Sequence, residues 1–334
     1  MAADDRVYLM GLGVTDPKGT FGTTLGLEAR YGNRRVMDMP TSENAMTGIA
    51  IGSAITGMRP IMTHQRVDFA LLALDQILNN AAKWHYMFGG KMSVPLVVRL
   101  VIGRGWGQGP QHSQSLQSVF GHFPGLKIVM PATPHDAKGL LAAAIADDNP
   151  VIYLEHRWLH EVVGAVPEQP YTVPIGKARV VREGKDLTIV TSSYMTLEAI
   201  RAADRLSELG IGAEVIDLRT IRPLDESAIV ESVKKTGRLI AADLAWKAMG
   251  VASEVVAVAA EQAHGSLKQP PKRITFPDTP SPTSPALAKE FYPRAAHIVI
   301  AAKQICGIKD GVDEKALLDP SLFDVPNPDF RGPF

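Results

Sequence analysis

From residue 7 onward the chain alternates short apolar, strand-like runs with longer helix-like stretches, the pattern of parallel strands bridged by crossover helices. In the first half the strand-like runs fall at Val7 to Gly11, Arg34 to Met37, Pro60 to Thr63, 94–102, 127–130 and Val151 to Leu154. Helices are expected at 43–57, Phe69 to Ala82 and 134–146, with another beginning near Thr23. The fold class is therefore α/β, with a mostly parallel sheet covered on both faces. Between 161 and 186 the alternation lapses over three prolines, and that stretch reads as a linker. A second alternating unit follows, with strands at 187–192, 213–217, 238–242 and 272–276 and helices at 196–209, 225–235 and 249–264. The segment from 278 is Pro-rich and leads to one last helix near Arg294 to Ile305. These boundaries give a first domain over 1–160, a linker over 161–186, a smaller α/β domain over 187–310 and a tail over 311–334 with little expected order.

Composition narrows the function by exclusion. The 334 residues suit two domains of ordinary size, and 46% apolar residues is a globular composition. Thirty-five basic residues balance thirty-five acidic ones, so there is no field to attract nucleic acid or an anionic membrane. The single cysteine, Cys306, excludes an internal disulfide and reads as a small buried hydrophobe in a reducing compartment. No basic segment followed by a long apolar run opens the sequence, and no apolar run reaches membrane-spanning length. The expected location is the cytoplasm, unless an organellar transit peptide has been removed.

Two stretches carry chemistry. In the first, Glu43 opens a helix whose side chains from Asn44 to Met58 are small or apolar apart from Asn44, Thr47, Ser53 and Thr56, so the helix is expected to be buried on most sides. Thr41 and Ser42 are natural caps, and Glu43 reads either as a carboxylate favoured by the helix N-terminus or as a functional acid. The second stretch follows the strand VPLVVRLVI: glycines alternate at 103, 105, 107 and 109 and lead to Gln111-His112-Ser113-Gln114. Alternate glycines cannot pack a core, so this is a loop, and His112 is either a surface residue or a catalyst. Gly11-Leu12-Gly13 is not a dinucleotide fingerprint, because a third glycine at the required spacing is missing. Glu43, His64 and His112 all fall at or just after the carboxyl ends of expected strands, where parallel sheets collect function.

In this order, TSENAMTGIAIGSAITGMRPI, LDQILNNAAKWHYMFGG, the stretch from PQHSQSLQ to VIYLEH, VPIGKARVVREGKDLTIV and EVIDLRTIRPLD together resemble a known family over most of the chain. It is the beta chain of the thiamine-diphosphate-dependent decarboxylase component of 2-oxo acid dehydrogenase complexes, within the transketolase-like superfamily. The resemblance implies a transketolase-like pyrimidine-binding domain followed by a transketolase C-terminal domain. It makes Glu43 the carboxyl that holds a ring nitrogen of the cofactor's aminopyrimidine, and His112 the histidine that meets substrate or intermediate. Gln65 and Phe69 are the implied cofactor neighbours, with Phe69 stacking on the pyrimidine. The sequence also departs from the family. Leu12 stands where an acid is usual, and His64 and Arg66 replace apolar and aromatic residues; the basic pair suits either an anionic substrate group or a structural role.

The resemblance further implies a potassium ion held by main-chain oxygens of Leu96, Ala144, Ile145, Asp147 and Asn149. The superfamily's magnesium and diphosphate motif, Gly-Asp-Gly with a downstream Asn, is missing, and Lys309-Asp310-Gly311 in the tail is no substitute. An alpha chain is thus the expected partner, supplying the magnesium half of the site in an alpha2beta2 tetramer, with a lipoyl acyltransferase as a further partner. The leading expectation is a decarboxylating 2-oxo acid dehydrogenase subunit that passes an acyl group to an acceptor such as a lipoyl carrier. A two-subunit transketolase-like or acetoin-type carbon-transfer enzyme and a non-catalytic scaffold are the alternatives.

Overall fold

The computed structural model describes residues 1–104, 107–308 and 325–326. Six strands of the first half form a parallel sheet: β1 (Val7–Gly11), β2 (Val36–Met37), β3 (Arg59–His64), β4 (Val97–Ile102), β5 (Lys127–Val129) and β6 (Val151–His156). A second sheet holds β7 (Arg179–Arg182), β8 (Leu187–Thr191), β9 (Ala213–Asp217), β11 (Leu239–Trp246) and β12 (Lys272–Phe276) in the order β12-β11-β8-β9-β7, with β7 antiparallel to β9. The remaining strand, β10 (Thr220–Arg222), leaves the second half and pairs antiparallel with β5, so the first sheet runs β10-β5-β6-β4-β3-β1-β2.

Burial follows the two-residue period of a strand. Val98, Leu100, Ile152 and Leu154 join one core cluster, while Val97, Val151 and Tyr153 join another on the opposite face. The first face is covered by Ala50, Ile51 and Ala54 from the Glu43–Ile55 helix and by Ala70, Ala73, Ile77 and Ala81 from the next helical stretch. Leu140 and Ala144 of the Pro134–Ala146 helix cover the second. The first cluster continues without a break into Ile216, Ile229, Val233 and Val255 of the second half, so the two domains share a packed core. Arg219, donating to the fully buried Asp136 at 3.2 Å, adds a polar tie across the same junction.

Several expectations need correction. The stretch 161–186, read as linker, contains β7, an edge strand of the second sheet. The helix expected at Phe69 to Ala82 extends from Val67 to Met87 and is irregular, with a 3-10 turn at Leu71–Ala73 and a π-helical segment at Asp75–Ala81. The Glu43–Ile55 helix is not buried on most sides: Asn44, Ala45, Ile49 and Gly52 are exposed, so an apolar stripe faces outward beside the exposed Leu71 and Leu72. Low polarity alone did not reveal which face the sheet would cover. The helix expected from Thr23 begins only at Leu27, after Gly26 in a left-handed conformation, and Pro285–Phe291 forms a helix inside the Pro-rich segment. The tail from 311 lies outside the described residues except for Val325 and Pro326, whose carbonyls accept from Arg294. Among the described residues no helix is long and apolar enough to cross a membrane.

Gly125, just before β5, shows how closely the helical layer sits on the sheet. Its φ is +98°, and a Cβ there would run into the Ala82 carbonyl. Gly125→Ala is expected to destabilise the fold by about 2 kcal/mol or more through strain and overlap. Urea unfolding checks this, and an unchanged midpoint would contradict the close approach.

Candidate active site

β1, β3, β4 and β6 are neighbours in a parallel sheet, so their carboxyl ends and the loops that follow lie along one edge. The chain turns outward from β1 to β2 and then back to β3 on the other side, which makes the β1/β3 boundary a topological switch point, the usual place for a ligand in such sheets. At that boundary a Cβ on Gly13 would lie 2.8 Å from Gln65 Nε2, so the two loops touch. The Gly13 amide donates to Asp38 Oδ1 at 2.9 Å. A carboxylate from the end of β2 therefore stands beside the turn that lacks an acid at Leu12, a neighbour the sequence reading missed.

Glu43 is the first residue of its helix and only 7% exposed. Ser42 occupies the N-cap position, but its side chain makes no capping bond. Among the described residues the Glu43 carboxyl accepts no hydrogen bond and forms no ion pair. No capping bond holds the Glu43 side chain to its own helix, so its carboxyl is available to a ligand.

His112 is exposed on its loop, with its ring edge-on to Phe69 at a centroid distance of 5.3 Å. The structure thus brings together two of the expected site residues that are far apart in sequence. The loop closes on itself: the Gly103 amide donates to Gln114 O at 2.9 Å, and Ser113 Oγ donates to Gln108 O at 2.9 Å. Gly103 has φ +69°, and a Cβ there would enter the His156 ring at the end of β6. Residues 105 and 106 lie outside the described residues.

The basic pair separates into two roles. His64 is 2% exposed, with Nε2 3.2 Å from Thr47 Oγ1, and burial pushes it down to about 4, leaving it neutral. Arg66, 3% exposed, donates from NH1 to Gly103 O at 2.8 Å and from NH2 to Gln108 Oε1. Burial lowers it to about 10, so it stays charged, and its guanidinium lies 5.7 Å from the Phe21 ring. Asp68 accepts from Gln114 Nε2 at 2.8 Å, and burial raises its carboxyl. Beyond β6, burial also keeps His156 and His160 neutral, at about 3 and about 4. The second domain reaches the same edge, where Asp243 of β11 accepts from Gln117 at 2.9 Å and burial lifts Asp243 to about 6. Arg66 was expected only as half of a basic pair with His64, and Asp68 and Asp243 were not expected from sequence as site neighbours.

Three of the carbonyls expected to hold potassium, those of Leu96, Ile145 and Asp147, lie at the opposite end of the sheet. Ile145 O and Asp147 O each accept from Arg59 NH1 at 3.0 Å, and Leu96 O accepts from the Val151 amide at 2.9 Å. The Arg59 guanidinium thus bridges two of the five expected carbonyls with its own positive charge.

Comparison with known proteins agrees with this architecture. Residues 1–161 match the transketolase pyrimidine binding domain, and residues 176–298 match the transketolase C-terminal domain. The beta subunit of acetoin:2,6-dichlorophenolindophenol oxidoreductase from Cupriavidus necator is 47% identical over 286 residues, covering 86% of this chain and 84% of the relative. The beta subunit of 2-oxoisovalerate dehydrogenase from Bacillus subtilis is 42% identical over 307 residues, covering 91% and 94%. The pyruvate dehydrogenase E1 component subunit beta of Rhizobium meliloti is 43% identical over 307 residues, covering 92% and 67%. A solved split-gene transketolase, described as an inactive beta4 tetramer, shares the fold with a TM-score of 0.75 at 22% identity, covering 92% of this chain and 94% of its own.

Neutral burial of His64 makes the site sensitive to acid. The unfolded chain takes up a proton near 6.5 that folded His64 refuses until about 4, so stability is lost as pH falls through that window. Asp243 works in the opposite direction, since its raised carboxyl adds stability in acid that disappears as pH rises toward about 6. A single-site comparison isolates the histidine. His64→Gln keeps an amide that can bond Thr47, and between pH 7 and pH 5 it is expected to lose roughly 2 kcal/mol less stability than the unsubstituted chain. Parallel pH dependences of Tm would contradict this.

Proposed function

The chain belongs to the transketolase-like family, with a pyrimidine-binding domain followed by a transketolase C-terminal domain, and on that footing we propose that it is the beta subunit of a two-chain thiamine-diphosphate-dependent 2-oxo acid decarboxylase/dehydrogenase. Its reaction is decarboxylation of a 2-oxo acid and transfer of the acyl group to an acceptor such as a lipoyl carrier. The observation that carries this reading is Glu43, a carboxyl 7% exposed at the switch-point edge with no partner among the described residues. An aminopyrimidine nitrogen is the kind of group such a carboxyl can bond, sharing a proton with the ring. Bound there, thiamine diphosphate would supply the carbanion chemistry.

The chain's own residues then take separate tasks. Glu43 holds the proton at the pyrimidine nitrogen. Phe69 offers an aromatic face and Gln65 a polar edge to the ring. His112, next to Phe69, donates a proton or hydrogen bond to an oxyanion developing on the substrate. Retention of Glu43 and of the His112–Phe69 pair is unexplained by a scaffold role.

An alpha chain supplies the magnesium and diphosphate contacts, and an alpha2beta2 tetramer is the proposed assembly, with a lipoyl acyltransferase as the acyl-accepting partner. Support comes from relatives named as beta subunits and from the outward apolar stripe of Ala45, Ile49 and Gly52 on the same helix that begins with Glu43. Asn44 ties that helix to exposed Leu72 through its carbonyl at 3.2 Å, which widens the apolar face. A structural potassium ion on the second lone pairs of the Leu96, Ala144, Ile145, Asp147 and Asn149 carbonyls is part of the proposal, sharing two of those oxygens with Arg59. The proposed compartment is the cytoplasm, where Cys306 stays reduced. Acetoin-type carbon transfer is the second reading, favoured by the Leu12 turn, whose neighbouring carboxylate comes from Asp38 instead.

Glu43→Gln in the assembled enzyme is expected to leave folding intact and to slow deuterium exchange at the cofactor's thiazolium carbon by about 100-fold or more. His112→Ala should leave that exchange largely unchanged and impair turnover by about 100- to 10,000-fold. If Glu43 only stabilises its helix, Glu43→Gln would instead cost about 1 kcal/mol with near-normal exchange.

A further inference from the structure

His112 needs a fixed position to act on a substrate, yet it sits on a loop whose alternate glycines provide no side chains to stiffen it. We propose that Arg66 and Asp68 are positioning residues for His112, holding the start, middle and end of its loop against the turn that carries Phe69. The inference rests on the role given to His112 above. Three bonds reach across from this short turn. Arg66 donates to Gly103 O at 2.8 Å where the loop leaves β4, and to Gln108 Oε1 in its middle, while Asp68 accepts from Gln114 at 2.8 Å just beyond His112. Phe69, the next residue, meets the His112 ring edge-on at 5.3 Å. Residues 66–69 therefore fix both the frame of the loop and the ring it presents.

Bonds within the loop spread the restraint. Ser113 Oγ donates to Gln108 O, the His112 amide donates to Gly109 O at 3.1 Å, and the Gly103 amide donates to Gln114 O, so displacement of Gln108 or Gln114 would move His112. The far side is backed by the second domain. Arg104 donates to Pro282 O at 3.2 Å, and a Cβ on Gly109 would come within 2.6 Å of Thr283 Oγ1.

The residue types fit this task better than they fit anion binding. A guanidinium presents a rigid planar fork that can bond a carbonyl and an amide oxygen together, whereas a lysine ammonium offers only a point charge on a flexible stem. The two acceptors are neutral, and among the described residues Arg66 forms no ion pair, so Asp68 on the same turn is the nearby compensating charge. Phe21 lies over the guanidinium and helps to separate it from water. His64, the other half of the basic pair, is neutral and bonded to Thr47, so it adds no charge; the neighbouring cation is Arg157, which shares the Phe21 ring with Arg66.

Arg66→Lys, Arg66→Gln and the isosteric Asp68→Asn test the inference in the full-length chain assembled with its partner. Backbone hydrogen exchange followed by mass spectrometry should accelerate over residues 103–116 and remain unchanged over the central strands. Turnover should fall by about 100-fold, the scale of a small misplacement of a catalytic group, with KM changed far less. Exchange at the thiazolium carbon, the task of Glu43, should be unaffected. In a His112→Ala background the same substitutions should cost little further turnover, because a residue acting through His112 has nothing left to position. Unchanged loop exchange, or a turnover loss that adds in full to that of His112→Ala, would overturn the inference. Absence of thiazolium exchange in the unsubstituted enzyme would refute the proposed function instead, and the loop-exchange comparison would still decide whether Arg66 and Asp68 brace the loop.

Discussion

Parallel pairing obliges neighbouring strands to finish at the same edge, and this chain assembles its candidate site from that constraint. β6, β4, β3 and β1 lie side by side, so His156, Gly103, Gln65 and Gly13 follow one another along a single rim although they are widely separated in sequence. The crossover helices needed to keep the strands parallel cover the sheet, and one of them begins with Glu43. The sheet has to be apolar on both faces to be buried this way, which leaves its carboxyl edge as the place for polar groups.

At that edge the buried groups fall into two electrostatic kinds. Histidines 64, 156 and 160 are kept neutral by burial, so they add hydrogen-bonding capacity without charge. Arg66 remains charged because its guanidinium has two fixed oxygen acceptors and a nearby carboxylate. Glu43 differs from both kinds. It is buried, ionisable and without a hydrogen-bonding partner among the described residues, while its own helix presents apolar side chains outward. A carboxyl left unmatched beside an exposed apolar stripe is what a site completed by a ligand and a second chain would display.

Much of this was legible in the sequence where local pattern decides. The central strands appear as runs such as 94–102, and the parallel sheet follows from their alternation with helices. Local pattern marked Glu43 as either a helix-capping or a functional acid and His112 as either a surface residue or a catalyst, and only the family resemblance gave them roles. Features that depend on distant pairing did not stand out. β10 is three residues long and finds its partner in the other domain, and β7 forms an edge strand within proline-rich surroundings. The π-helical segment over Asp75–Ala81 and the exposed side of the Glu43 helix depend on how helices settle on the sheet rather than on composition. Arg66 appeared in the sequence only as half of a basic pair with His64. Its bond to Gly103 spans 37 positions, and no local rule predicts it.

On the proposed function, this chain holds half of a thiamine diphosphate site and a second chain completes it. Titration calorimetry with thiamine diphosphate and magnesium tests this most directly, first on the purified chain and then on the chain assembled with its alpha partner. Weak or no binding to the chain alone and tight binding to the assembly are expected. Equally tight binding to the isolated chain would contradict the proposed function.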